Sequence, residues 1–179
     1  MRATRIAGFV LLAAAWLSAT TIVPMSVEQL TRESGQVVDA TALESWTAWN
    51  SQHSMIFTFT RFAVSSRLKG QAADTLVVRQ PGGSAGGYTT HVAGVRHWNQ
   101  GERAVLFLRP SVSDGAMEVT GLMQGNFLVT RDAQGNENAS NGVPGVTSYQ
   151  PASQQVSGYR GSVMKLSDLK ARIQKAAQP

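Results

Sequence analysis

The chain has 179 residues and carries 16 Lys+Arg against 11 Asp+Glu, a formal net charge of +5, with no cysteine. The absence of cysteine excludes disulfides, thiol catalysis, zinc–thiolate sites and the acylated anchor of a lipoprotein. The positive charge is modest and scattered, without a basic stripe interleaved with aromatic residues, so we expect no nucleic-acid partner. The composition predicts a domain that relies on a packed core alone.

Residues 1–19 have the pattern of a secretory signal peptide. Arg2 and Arg5 precede an apolar run over residues 6–17, and small residues follow it. The alternative, a membrane anchor, needs about 20 apolar residues. We expect cleavage after Ala19, a secreted or periplasmic location, and no stable membrane insertion afterwards. Cleavage would remove two of the 16 Lys+Arg and none of the 11 Asp+Glu, so the remaining chain would have a net charge of +3.

The segment after the leader predicts one short helix followed by strands. Ser26 and Gln29 have the spacing of a capping box, which predicts a helix from Val27 to Glu33. Alternation of apolar and polar residues then predicts β-structure. The predicted strands are 38–49, 55–64, 75–79, 88–92, 103–108, 117–122 and 126–131. The first two, around a short polar loop, predict a long hairpin, and strand 103–108 is apolar on both faces and should be central.

The amino-acid composition changes over the last 44 residues. Residues 136–162 are rich in Asn, Ser, Gly, Gln and Pro and predict a flexible linker. Ser167 is predicted to cap a final helix over residues 168–177. Leu169 and Ile173, with Leu166 before them, give this helix one apolar stripe, which either docks on the domain or engages a partner.

These elements predict a mainly β protein. Six or seven strands with short turns and no βαβ rhythm favour a small antiparallel barrel or sandwich, with a short N-terminal helix and a C-terminal helix. The expected divisions are a signal peptide (1–19), a β-barrel domain (20–135), a flexible linker (136–162) and a C-terminal helix (163–179).

Catalytic patterns are weak. Residues 82–86 match the G-x-S-x-G pattern of serine hydrolases around Ser84, but a strand follows rather than a helix, and no histidine comes after His97. The only other histidines, His53 and His91, have no carboxylate at metal-ligand spacing. We predict no catalytic residue, no metal site and no cofactor.

Tryptophans mark the candidate binding surface. Trp46 and Trp49 lie three apart on a predicted strand and should point to opposite faces, one into the core and one outward. Trp98 lies in a predicted loop, and exposed aromatic residues mark binding surfaces. The predicted binding residues are Arg96, His97 and Trp98, with Gly82 and Gly83 of the neighbouring glycine loop.

The order of several motifs resembles a group of small exported bacterial proteins without assigned function. The resembling stretches are residues 21–30, 68–70, 77–83, 101–108, 121–127 and 166–173. More loosely, the long hairpin, Lys69-Gly70 and the Gly-Glu-x-x-x-Leu-Phe strand at 101–107 are similar to the netrin-like OB barrels of metalloproteinase inhibitors. That resemblance implies an OB-like barrel. It does not imply their inhibitory mechanism, which uses an N-terminal cysteine that this chain lacks.

Three functional hypotheses follow. The first is an exported, non-enzymatic binding module whose partner is an unknown exported protein or a glycan. The second is a small secreted hydrolase, which requires His91 or His97 close to a carboxylate or to Ser84 in a pocket. The third is a subunit of a surface assembly, connected through the terminal helix.

Overall fold

A computed structural model describes residues 20–111 and 116–178, so the predicted signal peptide lies outside the described residues. In these two ranges the fold is mainly β, as predicted, with two helices among many strands. Residues 20–111 and 116–178 include no helix that could span a bilayer. The helices are α1 (Val27–Glu33) and α2 (Leu166–Ala176), and the strands are β1 (Thr20–Ile22), β2 (Gln36–Trp49), β3 (Ile56–Lys69), β4 (Thr75–Pro81), β5 (Gly83–Ala85), β6 (Tyr88–Thr90), β7 (Arg103–Pro110), β8 (Met117–Val119), β9 (Asn126–Arg131), β10 (Glu137–Ser140), β11 (Val146–Gln150), β12 (Gln155–Gly158) and β13 (Val163–Lys165).

Helix α1 begins and ends where the sequence predicts. The backbone N–H of Gln29 donates to the Ser26 hydroxyl at 3.1 Å, and the backbone N–H of Ser26 donates to Gln29 Oε1 at 2.9 Å. This reciprocal pair is the predicted capping box, and it satisfies two amides that the first helical turn leaves without partners. The helix then buries Leu30 completely.

Strand β7 is central, as its apolar composition predicts. The largest sheet has the order β13-β10-β9-β7-β2-β3-β4-β8, and β8 also pairs with β7. Along β7, residues Arg103 to Leu106 pair with β9, whereas Leu108 to Pro110 pair with β8. The hydrogen-bonded series β7-β2-β3-β4-β8 therefore returns to β7. Within this series β4 and β8 are parallel, and the other neighbours are antiparallel.

Two hydrophobic cores lie on opposite faces of β7. Val105 and Phe107 pack into a cluster with both helices, whereas Leu106 and Leu108 pack into a second cluster with strands β2, β3, β4 and β8. This division follows from the alternation of side chains along a strand. The helices thus cover one face of β7, and the second core lies among strands β2, β3, β4, β7 and β8.

The region predicted as a flexible linker contains regular structure. Residues 136–162 include β10, β11 and β12, and β10 joins β9 to β13 in the main sheet. β11 pairs in parallel with β1, so residues 20–22 lie beside residues 146–148. The composition did not predict β10 because a strand flanked by two partners needs few large apolar residues of its own: Ala139 is fully buried.

Helix α2 docks on the domain, the first of the two alternatives. Leu166, Leu169 and Ile173 are all buried in the same cluster as α1. The predicted cap was wrong: Lys165 is the N-cap residue, it makes no side-chain capping bond, and Ser167 lies inside the first turn. The surface-assembly hypothesis requires this apolar stripe to be exposed to a partner, so its burial counts against that hypothesis.

Candidate functional site

The structure places Trp98 in the core rather than on the surface, where an aromatic binding patch would need it. Its side chain is only 3% exposed. Its ring meets Phe62 edge to face with 5.0 Å between the ring centroids, and its Nε1–H donates to Asn126 Oδ1 at 3.1 Å. A buried tryptophan whose N–H has a partner is a structural residue.

Three of the other predicted binding residues, Arg96, His97 and Gly82, contact residues of the protein itself. Arg96 donates to Glu102 at 3.0 Å. His97 Nε2 lies 3.3 Å from the Pro81 carbonyl oxygen, and a Cβ built on Gly82 would lie 3.5 Å from His97 Cε1. The structure therefore brings His97 and Gly82 together, and ligand binding by these residues stays a prediction.

Gly83 has a packing role. It has a φ of +126°, and a Cβ there would meet Thr47 Cγ2 and Thr58 Oγ1, both at 2.7 Å. This close approach seats the β5–β6 hairpin on the end of the β2–β3 hairpin. Thr47 adds a hydrogen bond to the Ser84 carbonyl oxygen.

Ser84 has none of the contacts of a catalytic serine. Its hydroxyl is exposed and lies 2.8 Å from the Thr89 hydroxyl, across the β5–β6 hairpin. Within residues 20–111 and 116–178, none of the hydrogen bonds or ion pairs joins a histidine to a carboxylate, and no group of three metal-ligating side chains occurs. These contacts do not favour the hydrolase hypothesis.

Trp46 and Trp49 point to opposite faces, as predicted, but neither belongs to a hydrophobic core. Trp49 meets the Tyr88 ring edge to face at 5.8 Å, beneath the β5–β6 hairpin. Trp46, which is 40% exposed, stacks on Phe59 with the ring centroids 5.7 Å apart and the planes 12° from parallel. Trp46 is therefore an aromatic ring that is both held in place and accessible.

Starting at Trp46, one residue from each of five neighbouring strands pairs with the next to form a continuous row across the sheet. Trp46 pairs with Phe59, Phe59 with Arg79, Arg79 with Glu118, and Glu118 with Arg109, on β2, β3, β4, β8 and β7 in that order. Residues directly opposite in neighbouring strands project from the same face. We call these five residues the outer row. Val78, the neighbour of Arg79 on β4, is buried in the second core, so Arg79 and the rest of the row project from the opposite face.

Several polar contacts hold Arg79 at the centre of the outer row. Arg79 Nε and Nη2 donate to Glu118 Oε1 at 2.9 and 2.5 Å, and Nη2 also donates to Ser111 Oγ at 2.6 Å. The guanidinium lies over the ring of Phe57, 4.5 Å from its centroid. Since Arg79 is 8% exposed, it acts mainly as a support for the neighbouring aromatic rings.

Two pockets adjoin this support and share Phe57 and Arg79. The first, the rim pocket, has a volume of about 390 Å³; it is lined by Met55, Phe57, Arg79, Gln80, Pro81, Val92, Arg109, Glu118, Val119 and Leu122. The second, the loop pocket, has a volume of about 280 Å³; it is lined by Trp49, Asn50, Ser51, Gln52, Phe57, Phe59 and Arg79. The outer row and these pockets form the candidate site.

Sequence reasoning missed this site although β3 carries a signal for it. Phe57, Phe59 and Arg61 alternate with Thr58 and Thr60 over one strand. The threonines are buried and the larger side chains lie on the outward face. A strand that turns its aromatic residues outward and its threonines inward reverses the usual pattern and indicates a binding face.

No protein-family model and no curated protein matches this sequence. The class of the protein is therefore defined by its fold and surface alone: a mainly β domain with an aromatic and arginine-containing face.

Proposed function

We propose that this protein is an exported, non-enzymatic binding module with an OB-like barrel, and that it binds another exported protein through the outer row. The signal-peptide pattern of residues 1–19 supports export. The closed series of paired strands β7-β2-β3-β4-β8, with β4 parallel to β8, supports the barrel.

The stacked pair of Trp46 and Phe59 is the observation that carries the binding proposal. Tryptophan and arginine are enriched among residues that dominate protein–protein binding energy, and methionine is enriched at interfaces. The face holds Trp46, Met55 and Arg109 in accessible positions. A ring that is already stacked loses little conformational freedom on binding, which favours affinity.

Charge supports a protein partner over nucleic acid. Arg61 of this face pairs with Glu44 at 2.6 Å, and Arg79 pairs with Glu118 at 2.5 Å. Two of the arginines are thus already neutralised, whereas nucleic-acid binding depends on several cations free to contact phosphates. The charges are scattered along the chain, and the net charge of +3 expected after removal of residues 1–19 is small, which fits the same conclusion.

A capture experiment tests the proposal. The protein, purified after expression of the full chain, is immobilised and exposed to the exported proteins of its own host, and bound proteins are identified by mass spectrometry. We expect a specific partner that Trp46→Ala reduces at least tenfold. Val163→Ala, which truncates another exposed apolar residue (73% exposed) on β13, is the matched control and should retain binding.

The outcomes separate the alternatives. Equal losses with both variants, or capture that neither variant changes, would contradict binding through the outer row. Recovery of a glycan rather than a protein would contradict the choice of partner.

A further inference from the structure

We propose that the rim pocket binds a small apolar organic carboxylate that also carries a hydrogen-bond donor. This inference goes beyond the proposed protein interface, because it concerns a cavity at one end of the outer row. The volume of about 390 Å³ falls within the range of roughly 300–1,000 Å³ typical of small-molecule sites.

The walls of the rim pocket set the apolar part of the ligand. Six of the ten lining residues are apolar: Met55, Phe57, Pro81, Val92, Val119 and Leu122. The pocket lies where the parallel strands β4 and β8 both reach their carboxyl ends. Mostly apolar walls with a few placed polar groups are the usual composition of a ligand site.

Arg109 favours a negative charge on the ligand. The lining holds two arginines and one carboxylate, Arg79, Arg109 and Glu118. Glu118 Oε1 accepts two hydrogen bonds from Arg79, whereas the side chain of Arg109 makes no hydrogen bond or ion pair with any residue in the described ranges. One guanidinium beside the cavity is therefore uncompensated, and a planar guanidinium binds a carboxylate through two parallel hydrogen bonds.

Gln80 supplies an independent observation. This residue lines the pocket and is 3% exposed, yet its Oε1 atom is buried and accepts no hydrogen bond within the described part of the chain. A buried amide oxygen without a donor is destabilising, and such groups in native proteins call for an explanation. A ligand N–H or O–H, with rotation of the Gln80 side chain, supplies the donor.

These three features define a test molecule. N-acetyl-L-phenylalanine has an apolar ring, an amide N–H and a carboxylate. N-acetyl-L-phenylalaninamide has the same shape without the negative charge. Binding of each to the protein purified after expression of the full chain is measured by titration calorimetry or by chemical-shift changes.

We expect the carboxylate to bind at least tenfold more tightly than the amide. Arg109→Gln should abolish this preference, so that the variant binds both probes with similar, weak affinity. Arg32→Gln on α1 removes a charge from an exposed position outside the pocket and should leave the preference intact. Gln80→Leu should weaken the binding of both probes by similar factors, because it removes the side-chain amide and keeps the side-chain volume.

Other results would overturn the inference. Equal binding of the two probes to the unmodified protein, or no binding of either, contradicts a carboxylate site. An equal loss with Arg32→Gln shows general charge attraction instead. Trp46→Ala separates this inference from the protein interface: it should reduce capture of the protein partner and leave affinity for the probe unchanged.

Discussion

The Nζ atom of Lys170 on helix α2 lies 2.6 Å from Oδ2 of Asp39, a carboxylate that is completely buried on β2. Arg103 on β7 donates to both oxygens of the same carboxylate, at 2.8 and 2.7 Å. Burial raises the pKa of Asp39, but the hydrogen bonds from Arg103 and Lys170 outweigh it and hold the pKa below its usual value. One carboxylate thus joins two central strands to the terminal helix.

Asp39→Asn should strongly destabilise the fold. The substitution removes the negative charge and leaves two cations close together, and breaking a buried pair typically costs about 3–5 kcal/mol. Since the Arg103 and Lys170 side chains are 31% and 28% exposed, we expect about 3 kcal/mol, measured by urea unfolding. Lys170→Met, which retains the pair with Arg103, should cost less, about 1 kcal/mol. A loss below about 1 kcal/mol for Asp39→Asn would contradict this role.

A second ion pair makes the helix contact sensitive to acid. Arg172 of α2 donates to both carboxylate oxygens of Glu28 on α1, at 2.8 and 2.9 Å. These hydrogen bonds lower the pKa of Glu28 from 4.5 to about 2. Because the folded pKa lies below the unfolded one, the stabilisation is complete above about pH 4.5 and is lost as the pH falls toward 2.

Glu28→Gln should therefore reduce stability at pH 7 but not at pH 2. The Arg172 and Glu28 side chains are 43% and 38% exposed, so solvent screening limits the effect at pH 7 to about 0.5–1 kcal/mol. Thermal unfolding across this pH range measures it. Glu33→Gln, at a residue of the same helix without an ion pair in the described ranges, is the matched control. A difference that persists at pH 2 would contradict the linkage.

The sequence predicted local structure better than tertiary position. Helix α1 and strand β9 have the predicted bounds because a capping box and a regular alternation depend on neighbouring residues alone. The sequence did not determine whether Trp98 is exposed, because its burial depends on Phe62 and Asn126, which are remote in sequence. Strand β10 was missed because its stability comes from pairing with β9 and β13 rather than from its composition.

The candidate site was missed for a related reason. The outer row consists of residues from five strands, and which residues share a row depends on strand register. A β-bulge lies between Ala42 and Glu44, and a one-residue shift exchanges the two faces of a strand. Without the register, the sequence does not determine which face of the sheet carries Trp46.

Gly70→Ala should be more destabilising than Gly101→Ala. Both glycines have positive φ, +71° and +84°, so either alanine costs about 1–2 kcal/mol in backbone strain. At Gly101 nothing lies within 4 Å of the added Cβ, whereas at Gly70 the Cβ would lie 2.4 Å from the Gly35 carbonyl oxygen. The clash forces the start of β2 away from the end of β3. Chemical unfolding of both variants measures the difference, and equal losses would contradict it.

Trp98→Phe should reduce stability and leave partner binding unchanged, the opposite of what we expect for Trp46→Ala. The substitution removes the donor to Asn126 Oδ1, and Asn126 is only 5% exposed. A buried acceptor left without a donor costs about 1–3 kcal/mol.

The double variant Trp98→Phe/Asn126→Leu separates this cost from the loss of ring volume. It removes both polar partners, so we expect it to recover part of the stability lost in Trp98→Phe, which urea unfolding of the single and double variants measures. Binding is compared at a temperature where every variant is folded. Loss of partner capture by a folded Trp98→Phe variant would show that the loop around Trp98, rather than the outer row, contacts the partner.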